Sequence, residues 1–272
     1  PVLDLAEPRP DIVARLEVQE ARVPDFAAYD RALPASSPLR LVGGSGSASL
    51  RFEFSSAARE MLGRFDLIGQ SVEATYRGET LIRGDLKLGA QLDRGRLEDR
   101  KFQLSDLRLD LDGVSARCAG APADAENAPI DAWWARIELP RGEAVLTEPI
   151  DLTAEVQAVL RDALPLVHLL RSGDRPKRWL HRLLEEKRVQ AAAQLALDDD
   201  EMAIDGLTVR GGRRLTGRGV LSIEGKETRG LMLVEYGPLS VAAELLPGGE
   251  RDYRWTGSAR WYETRLAERG SP

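Results

Sequence analysis

The chain has 272 residues, of which 43% are hydrophobic and 30% are charged, and its formal net charge is −6. Acidic and basic residues are mixed along it, so the composition predicts a globular protein and argues against a nucleic-acid binder, which needs a basic face. A single cysteine, Cys118, excludes an internal disulfide and a multi-cysteine metal site. No apolar run approaches the roughly 20 residues of a transmembrane helix.

The first half of the chain alternates apolar and polar residues with period two, which predicts strands with one apolar face. The alternation covers residues 12–19, 49–54, 72–76, 82–93, 107–112 and 135–139. A short helical turn is predicted around Asp25–Leu33, and a weaker helix over Ser56–Leu62. Gly43–Ser47 is rich in glycine but lacks the lysine of a phosphate loop and leads into a strand, so it predicts a turn or bulge.

Short turn signals separate the alternating runs and predict hairpins. They include Asp93-Arg94-Gly95, Asp112-Gly113, Asp205-Gly206, Gly211-Gly212, Glu224-Gly225, Tyr236-Gly237-Pro238 and Pro247-Gly248-Gly249. Successive hairpins form an antiparallel meander, and such a sheet commonly has one apolar and one wet face.

Residues 151–187 interrupt the alternation and predict two helices that plug one end of the sheet. Asp151 or Thr153 can cap the first helix, and Pro176 suits the first turn of the second. The first apolar stripe consists of Val156, Val159, Leu160, Ala163 and Leu164. The second consists of Trp179, Leu180, Leu183 and Leu184.

The alternation resumes at 193–197, 207–209, 221–223 and 232–236, although Leu231 and Leu233 blur it. Trp255, Trp261 and Tyr262 are predicted to close the last strand. The sequence therefore predicts a mainly β fold, a large curved antiparallel meander that forms a trough or an open sandwich. It makes a single elongated domain with strands over 10–147 and 189–262 and the short two-helix insertion near 151–187.

No catalytic motif stands out, and we predict neither a catalytic site nor a metal or other cofactor. His168 and His181 have no neighbouring ligands at metal-binding spacing, and no Gly-x-Ser-x-Gly motif occurs. The side chains of Asp106, Asp110 and Asp112 fit a solvated outer face better than a calcium loop. Residues 198–201 fit an acidic hairpin tip. A pair of these carboxylates leaves one enzymatic alternative open, a carbohydrate-active β enzyme.

A basic segment within the predicted insertion is a candidate for contact with an anionic membrane or a protein partner. Its members are Arg175, Lys177, Arg178, Trp179 and Arg182. The alternative is an ordinary solvated helix face.

The stretch Leu81–Leu111 resembles the AsmA-like and TamB-like envelope proteins of Gram-negative bacteria. It carries Asp-Leu-Lys-Leu, Leu-Asp-Arg-Gly-Arg-Leu-Glu and Leu-Ser-Asp-Leu-Arg-Leu-Asp-Leu. Residues 162–166, 176–184, 191–214 and 219–239 look like the helical plug and returning meander of such domains. The chain is short for the family and lacks its N-terminal membrane helix. Because it begins at Pro1 without Met, we expect a segment upstream that could include an inner-membrane anchor.

The resemblance implies a periplasmic trough whose apolar inside carries phospholipid tails, with membrane-anchored envelope proteins as partners and no catalytic residues. The alternation of the residues supports one part of this expectation, because a one-sided sheet must bury its apolar face against something. Either the sheet folds into a sandwich or part of the face remains an open groove. The predicted groove lining is Phe52, Phe54, Ile82, Leu86, Leu88, Leu92, Leu107, Leu109, Leu111, Ile137, Leu195, Leu197, Leu221 and Ile223. The non-enzymatic alternative is a structural or interaction module of an envelope assembly, which uses an exposed strand edge.

Overall fold

A computed structural model describes residues 12–33, 39–56, 58–76, 78, 80–96, 100–118, 130–145, 151–164, 183, 186–198, 201–224 and 227–270. Within them, thirteen strands follow one another in chain order in a single antiparallel sheet. The sheet is open, with the first and last strands at its two edges. The predicted mainly β meander is therefore confirmed.

The strands are longest in the first half of the sheet, after a shorter first strand, and shorten towards the last strand. They are β1 Val13–Val23, β2 Leu39–Ser55, β3 Glu60–Tyr76, β4 Thr80–Arg96, β5 Lys101–Cys118, β6 Ile130–Val145, β7 Asp151–Asp162, β8 Lys187–Asp198, β9 Glu201–Gly211, β10 Leu215–Glu224, β11 Glu227–Tyr236, β12 Leu239–Leu245 and β13 Arg251–Arg254. The described helices are a 3₁₀ helix Phe26–Ala32, a 3₁₀ turn Pro247–Gly249 and an α-helix, α1, Ser258–Gly270.

Strand register gathers the apolar residues on one face. One row of paired residues crosses seven strands, from β3 to β9, as Leu67, Leu88, Leu109, Ile137, Ala158, Ala191 and Val209. We call the side of the sheet that carries this row the apolar face. The opposite side, which carries Arg15, Glu53, Arg108 and Glu138, is the polar face.

Three glycine-containing segments that predicted turns lie inside strands. Gly95 of β4 pairs with Phe102 of β5. Gly113 lies within β5 and Gly206 within β9, both at a φ of 59°. The pairing register shifts beside each of them. A bulge places an extra residue in a strand and increases its twist without ending it. The bulges explain why β5 reaches 18 residues, well beyond the usual strand length.

Gly44 resolves the prediction for Gly43–Ser47 in favour of a bulge. It has a φ of 103°, which favours glycine, and it lies within β2 at the shift of register between Gly43 and Ser45. A Cβ atom there would come within 2.6 Å of the Val72 Cα atom on β3.

The first helix predicted within 151–187 is wrong, because Asp151–Asp162 forms strand β7 between β6 and β8. The apolar-face residues of β7 alternate as Leu152, Ala154, Val156, Ala158 and Leu160. Val159 lies on the opposite face, and its presence made a helical period fit equally well. The predicted second helix lies almost wholly outside the described residues, although Leu183 is fully buried.

Two further predictions are wrong. Within Ser56–Leu62, the described residues form turns and then the start of β3 at Glu60, not a helix. Trp261 and Tyr262 belong to α1, not to a closing strand. They face the sheet with Leu266, whereas Glu263 and Arg265 are more exposed and form ion pairs with Arg218 and Glu244 of the sheet. The apolar residues of this segment therefore have a helical period.

Buried apolar clusters lie at the two ends of the sheet. At the β1 end, Phe26 of the 3₁₀ helix packs on Val23 and Val72, which confirms the helical turn predicted around Asp25–Leu33. At the β13 end, the apolar face of β8–β12 packs with Ala163 and Leu183. There α1 also covers the polar face, where Tyr262 packs with three residues. These are Leu231, Leu233 and Ala242.

Candidate functional site

All fourteen residues of the predicted groove lining lie on the apolar face, as the pairing register shows. Thirteen of them are half-buried, and Leu221 is buried in the cluster at the β13 end. Large apolar side chains therefore remain partly exposed along the middle of this face.

Little packs on the middle of the apolar face within the described part of the chain. The 3₁₀ helix Phe26–Ala32 contacts β2, whereas α1 contacts β11 and β12 from the other side. Leu88, Leu109 and Ile137, in the centre of the row defined above, belong to neither end cluster. In the described part of the chain, the face thus forms an apolar strip, centred on Leu88, Leu109 and Ile137, between two closed ends.

Aromatic rings lie against glycines on this strip. A Cβ atom on Gly63 would come within 2.3 Å of the Phe52 ring, and one on Gly95 within 2.7 Å of the Phe102 ring. In each case the glycine is the direct cross-strand partner of the aromatic residue. The missing side chain lets the ring lie close to the neighbouring strand, an arrangement that stabilises glycine in sheets.

The tandem Trp133-Trp134 places one ring on each face, as period-two alternation predicts. Trp133 lies opposite Val114, and its Nε1 donates to Oδ1 of Asp162 at 3.2 Å. Trp134 lies on the polar face, where the Arg136 guanidinium is 5.8 Å from its ring centroid. Asp162 is a buried carboxylate that sequence reasoning did not single out.

Cross-strand ion pairs organise the polar face. Paired atoms are 2.8 Å apart in Arg15–Glu53 and Arg51–Glu17 and 2.7 Å apart in Arg108–Glu138. Each pair joins residues directly opposite one another on neighbouring strands. Exposed pairs of this kind contribute up to about 1 kcal/mol each, so they favour the register more than they stabilise the fold.

A depression of about 500 Å³ lies on the polar face of β3–β6. Its charged lining residues are Arg64, Asp66, Lys87, Asp106, Arg108, Asp110 and Glu138. Arg64 is hydrogen-bonded to Asp66 at 2.8 Å, and this bond raises the pKa of the arginine. A glycosidase needs two carboxylates that flank the substrate, whereas Asp66, Glu138 and Asp110 each pair with an arginine. The depression therefore gives the carbohydrate-active alternative no support.

The acidic clusters named from the sequence are distributed along the polar face and a hairpin. Asp110 lies 4.0 Å from Arg136, Asp112 lies opposite Asp85, and Asp106 occupies a bulge at a φ of 49°. Asp198 and Glu201 pair across the end of the β8–β9 hairpin. Among the described residues, no group of three histidine, cysteine or acidic side chains has the geometry to hold a metal ion.

Several sequence candidates lie outside the described residues. They are the basic segment Arg175, Lys177, Arg178, Trp179 and Arg182, and the histidines His168 and His181. Their proposed contacts stay predictions. In the described part of the chain, no helix has the length and apolar character needed to span a membrane.

Comparison of the chain with protein families, characterised proteins and solved structures found no match.

Proposed function

We propose that the protein binds acyl chains of lipids along its apolar face and contributes to lipid transport or outer-membrane maintenance in the periplasm. The main observation is that Leu88, Leu109 and Ile137 are partly exposed on the apolar face between two buried end clusters. The resemblance of Leu81–Leu111 to AsmA-like proteins supports the same function and compartment.

The apolar strip suits a long hydrocarbon chain better than a compact polar ligand. Adjacent strands are about 4.8 Å apart, so the part of the row that belongs to neither end cluster, from Leu88 on β4 to Ala158 on β7, extends roughly 14 Å. Each CH₂ group removed from water contributes about 0.8 kcal/mol, so ten would contribute about 8 kcal/mol before the costs of association. Apolar contact of this kind needs no dedicated polar residue.

The first test is direct detection of bound lipid. We expect native mass spectrometry of the purified chain to show adducts that organic extraction identifies as phospholipid or fatty acid. A chain that carries no lipid, and that fails to bind a fluorescent fatty acid in solution, would contradict the proposal.

A matched pair of substitutions tests which face binds. Leu88→Lys places a charge at the centre of the strip and should weaken fatty-acid binding about tenfold or more, since it removes one leucine contact. Leu62→Lys is the control, because Leu62 is 47% exposed on the polar face of β3, opposite Glu53. Circular dichroism would check that both variants fold. Equal fatty-acid binding by the two folded variants would argue against the apolar face as the binding site.

The second candidate function is an interaction module, and a specific observation favours it. β1 forms one edge of the sheet, and Val13 and Leu16 on this strand are 50% and 54% exposed. Edge strands present backbone donors and acceptors that can extend a partner's sheet.

A further inference from the structure

The outer edge of β1 is free of any strand within the described residues, because β1 is first in the sheet order. The Ile12 carbonyl accepts a hydrogen bond from the Ser56 amide at 2.9 Å, so Ile12 directs its backbone towards β2. Alternate residues point their backbone groups to opposite sides of a strand. Val13, Arg15 and Glu17 therefore direct their N–H and C=O groups away from the sheet.

The regular part of this edge is short and apolar on one side. Its pairing with β2 is continuous from Val13 to Val18, and the register shifts before Ala21, beside Glu20 at a φ of 59°. The side chain of Leu16 in the middle of this segment is 54% exposed, and the preceding Ile12 is 60% exposed. An added strand would bury these side chains.

The segment is complementary to itself in one antiparallel register. When Leu16 lies opposite Leu16 of a second copy, Arg15 lies opposite Glu17 of that copy and Ala14 lies opposite its Val18. Outward-facing backbone groups then meet in hydrogen-bonded pairs. A shift by two residues places Arg15 opposite Arg15, or Glu17 opposite Glu17, and like charges directly opposite one another destabilise a sheet.

Existing ion pairs extend the complementarity. Arg15 already pairs with Glu53, and Glu17 with Arg51, each at 2.8 Å on the polar face. Across the junction the charges would alternate as Glu53, Arg15, then Glu17 and Arg51 of the second copy. The hydrogen bond from Arg51 holds the pKa of Glu17 below its ordinary value of 4.5, so Glu17 is ionised at neutral pH.

We propose that two copies of this chain join edge to edge through β1, in the register centred on Leu16, as a two-fold symmetric dimer. Because each strand keeps its apolar side chains on one face, the junction continues the apolar face of one copy into that of the other. A closed two-fold pairing also protects the edge from further strand addition. The dimer does not depend on the ligand proposed for that face.

Charge reversal tests the register. Arg15→Glu places Glu opposite Glu twice in its homodimer, and Glu17→Arg places Arg opposite Arg twice. We expect each variant to dissociate at least about tenfold more readily than the wild type in sedimentation equilibrium. A mixture of the two variants restores opposite charges at both positions, so native mass spectrometry should show the mixed dimer in excess of either homodimer.

Two controls separate this register from other association. Arg22→Glu changes an exposed charge beyond the bulge and should leave the dimer intact. Arg15→Pro removes an outward N–H group that β2 does not use, and should weaken the dimer more than Arg15→Ala does. A wild type that is monomeric at every concentration, or a mixture without an excess of the mixed dimer, would overturn the proposal.

Discussion

Asp162 shows how one buried carboxylate can organise the end of a strand. Its side chain accepts from Trp133 Nε1 at 3.2 Å and from the backbone N–H of Leu164 at 3.1 Å. Arg161 and Lys187 approach it at 3.6 and 3.8 Å. It therefore joins β6, the end of β7 and the start of β8. Buried donors of this kind are costly when they lose their acceptor.

We predict that Asp162→Ala lowers the free energy of unfolding by about 1–3 kcal/mol, because the indole N–H of Trp133 and the amide of Leu164 lose their acceptor. Asp162→Asn should lose less, since its amide oxygen still accepts a hydrogen bond. Urea denaturation of the three proteins measures both effects. An alanine variant as stable as the wild type would show that water replaces the carboxylate without cost.

At the scale of elements, α1 explains why β11 departs from simple alternation. Leu231 and Leu233 point to the polar face, where most neighbouring strands carry charged residues, yet both are at most 1% exposed. Tyr262 of α1 covers them. Arg218 lies over its ring, 5.1 Å from the centroid. β11 is thus buried on both faces and has the continuous apolar sequence that such a strand requires.

Burial of Tyr262 predicts a loss of stability in alkali. Desolvation raises the pKa of Tyr262 above its ordinary value of 10.0. As the pH rises past this value, the unfolded chain loses the phenolic proton before the folded chain does, so the free energy of unfolding falls. Tyr262→Phe should therefore lose less stability than the wild type when denaturation at neutral pH is compared with denaturation above pH 10.0.

Tyr253 gives an internal comparison, because burial also raises its pKa. Tyr253→Phe should remove a separate part of the stability lost in alkali, and the double variant should remove both parts. If Tyr262→Phe retains the full alkaline loss, the interaction of α1 with the sheet does not depend on the protonated phenol.

At the scale of the whole molecule, the alternation of the sequence was sufficient to predict the sheet and its faces. Leu86, Leu88 and Leu109 alternate with polar residues, mostly charged ones. With a period of two, a strand is the regular element that places the leucines on one face and the polar residues on the other. The same criterion failed at β7, where Ala154, Val156 and Ala158 are small or β-branched and Val159 occupies the polar face. There a helix and a strand fit the pattern equally, and only pairing with β6 and β8 decides between them.

Other features depend on contacts between distant residues and leave no local signal. The Asp205-Gly206 sequence of the bulge in β9 is also typical of a turn. Its place inside a strand follows from the pairing of β9 with β8 and β10. The exposure of the strip around Leu88 is likewise a property of the assembled sheet. The sequence could predict which residues share the apolar face, but not that both of its ends are closed.

The sheet should lose structure in parts, because its strands contact mainly their neighbours in sequence and its buried clusters lie at opposite ends. Such linear arrangements behave as a series of neighbouring interactions and open locally. Met232 is fully buried in the β13-end cluster. Met232→Ala should cost about 2–5 kcal/mol in that region.

Hydrogen exchange measured by mass spectrometry locates this loss. We expect Met232→Ala to reduce amide protection in β9–β12 while β2–β4 keep the protection of the wild type. The reason is that Met232 belongs to the β13-end cluster, which is separate from the β1-end cluster. Val72→Ala is the matched variant at the other end and should give the converse pattern. A uniform loss across all strands in both variants would mean that the half-buried strip couples the two clusters strongly enough for the sheet to unfold as one unit.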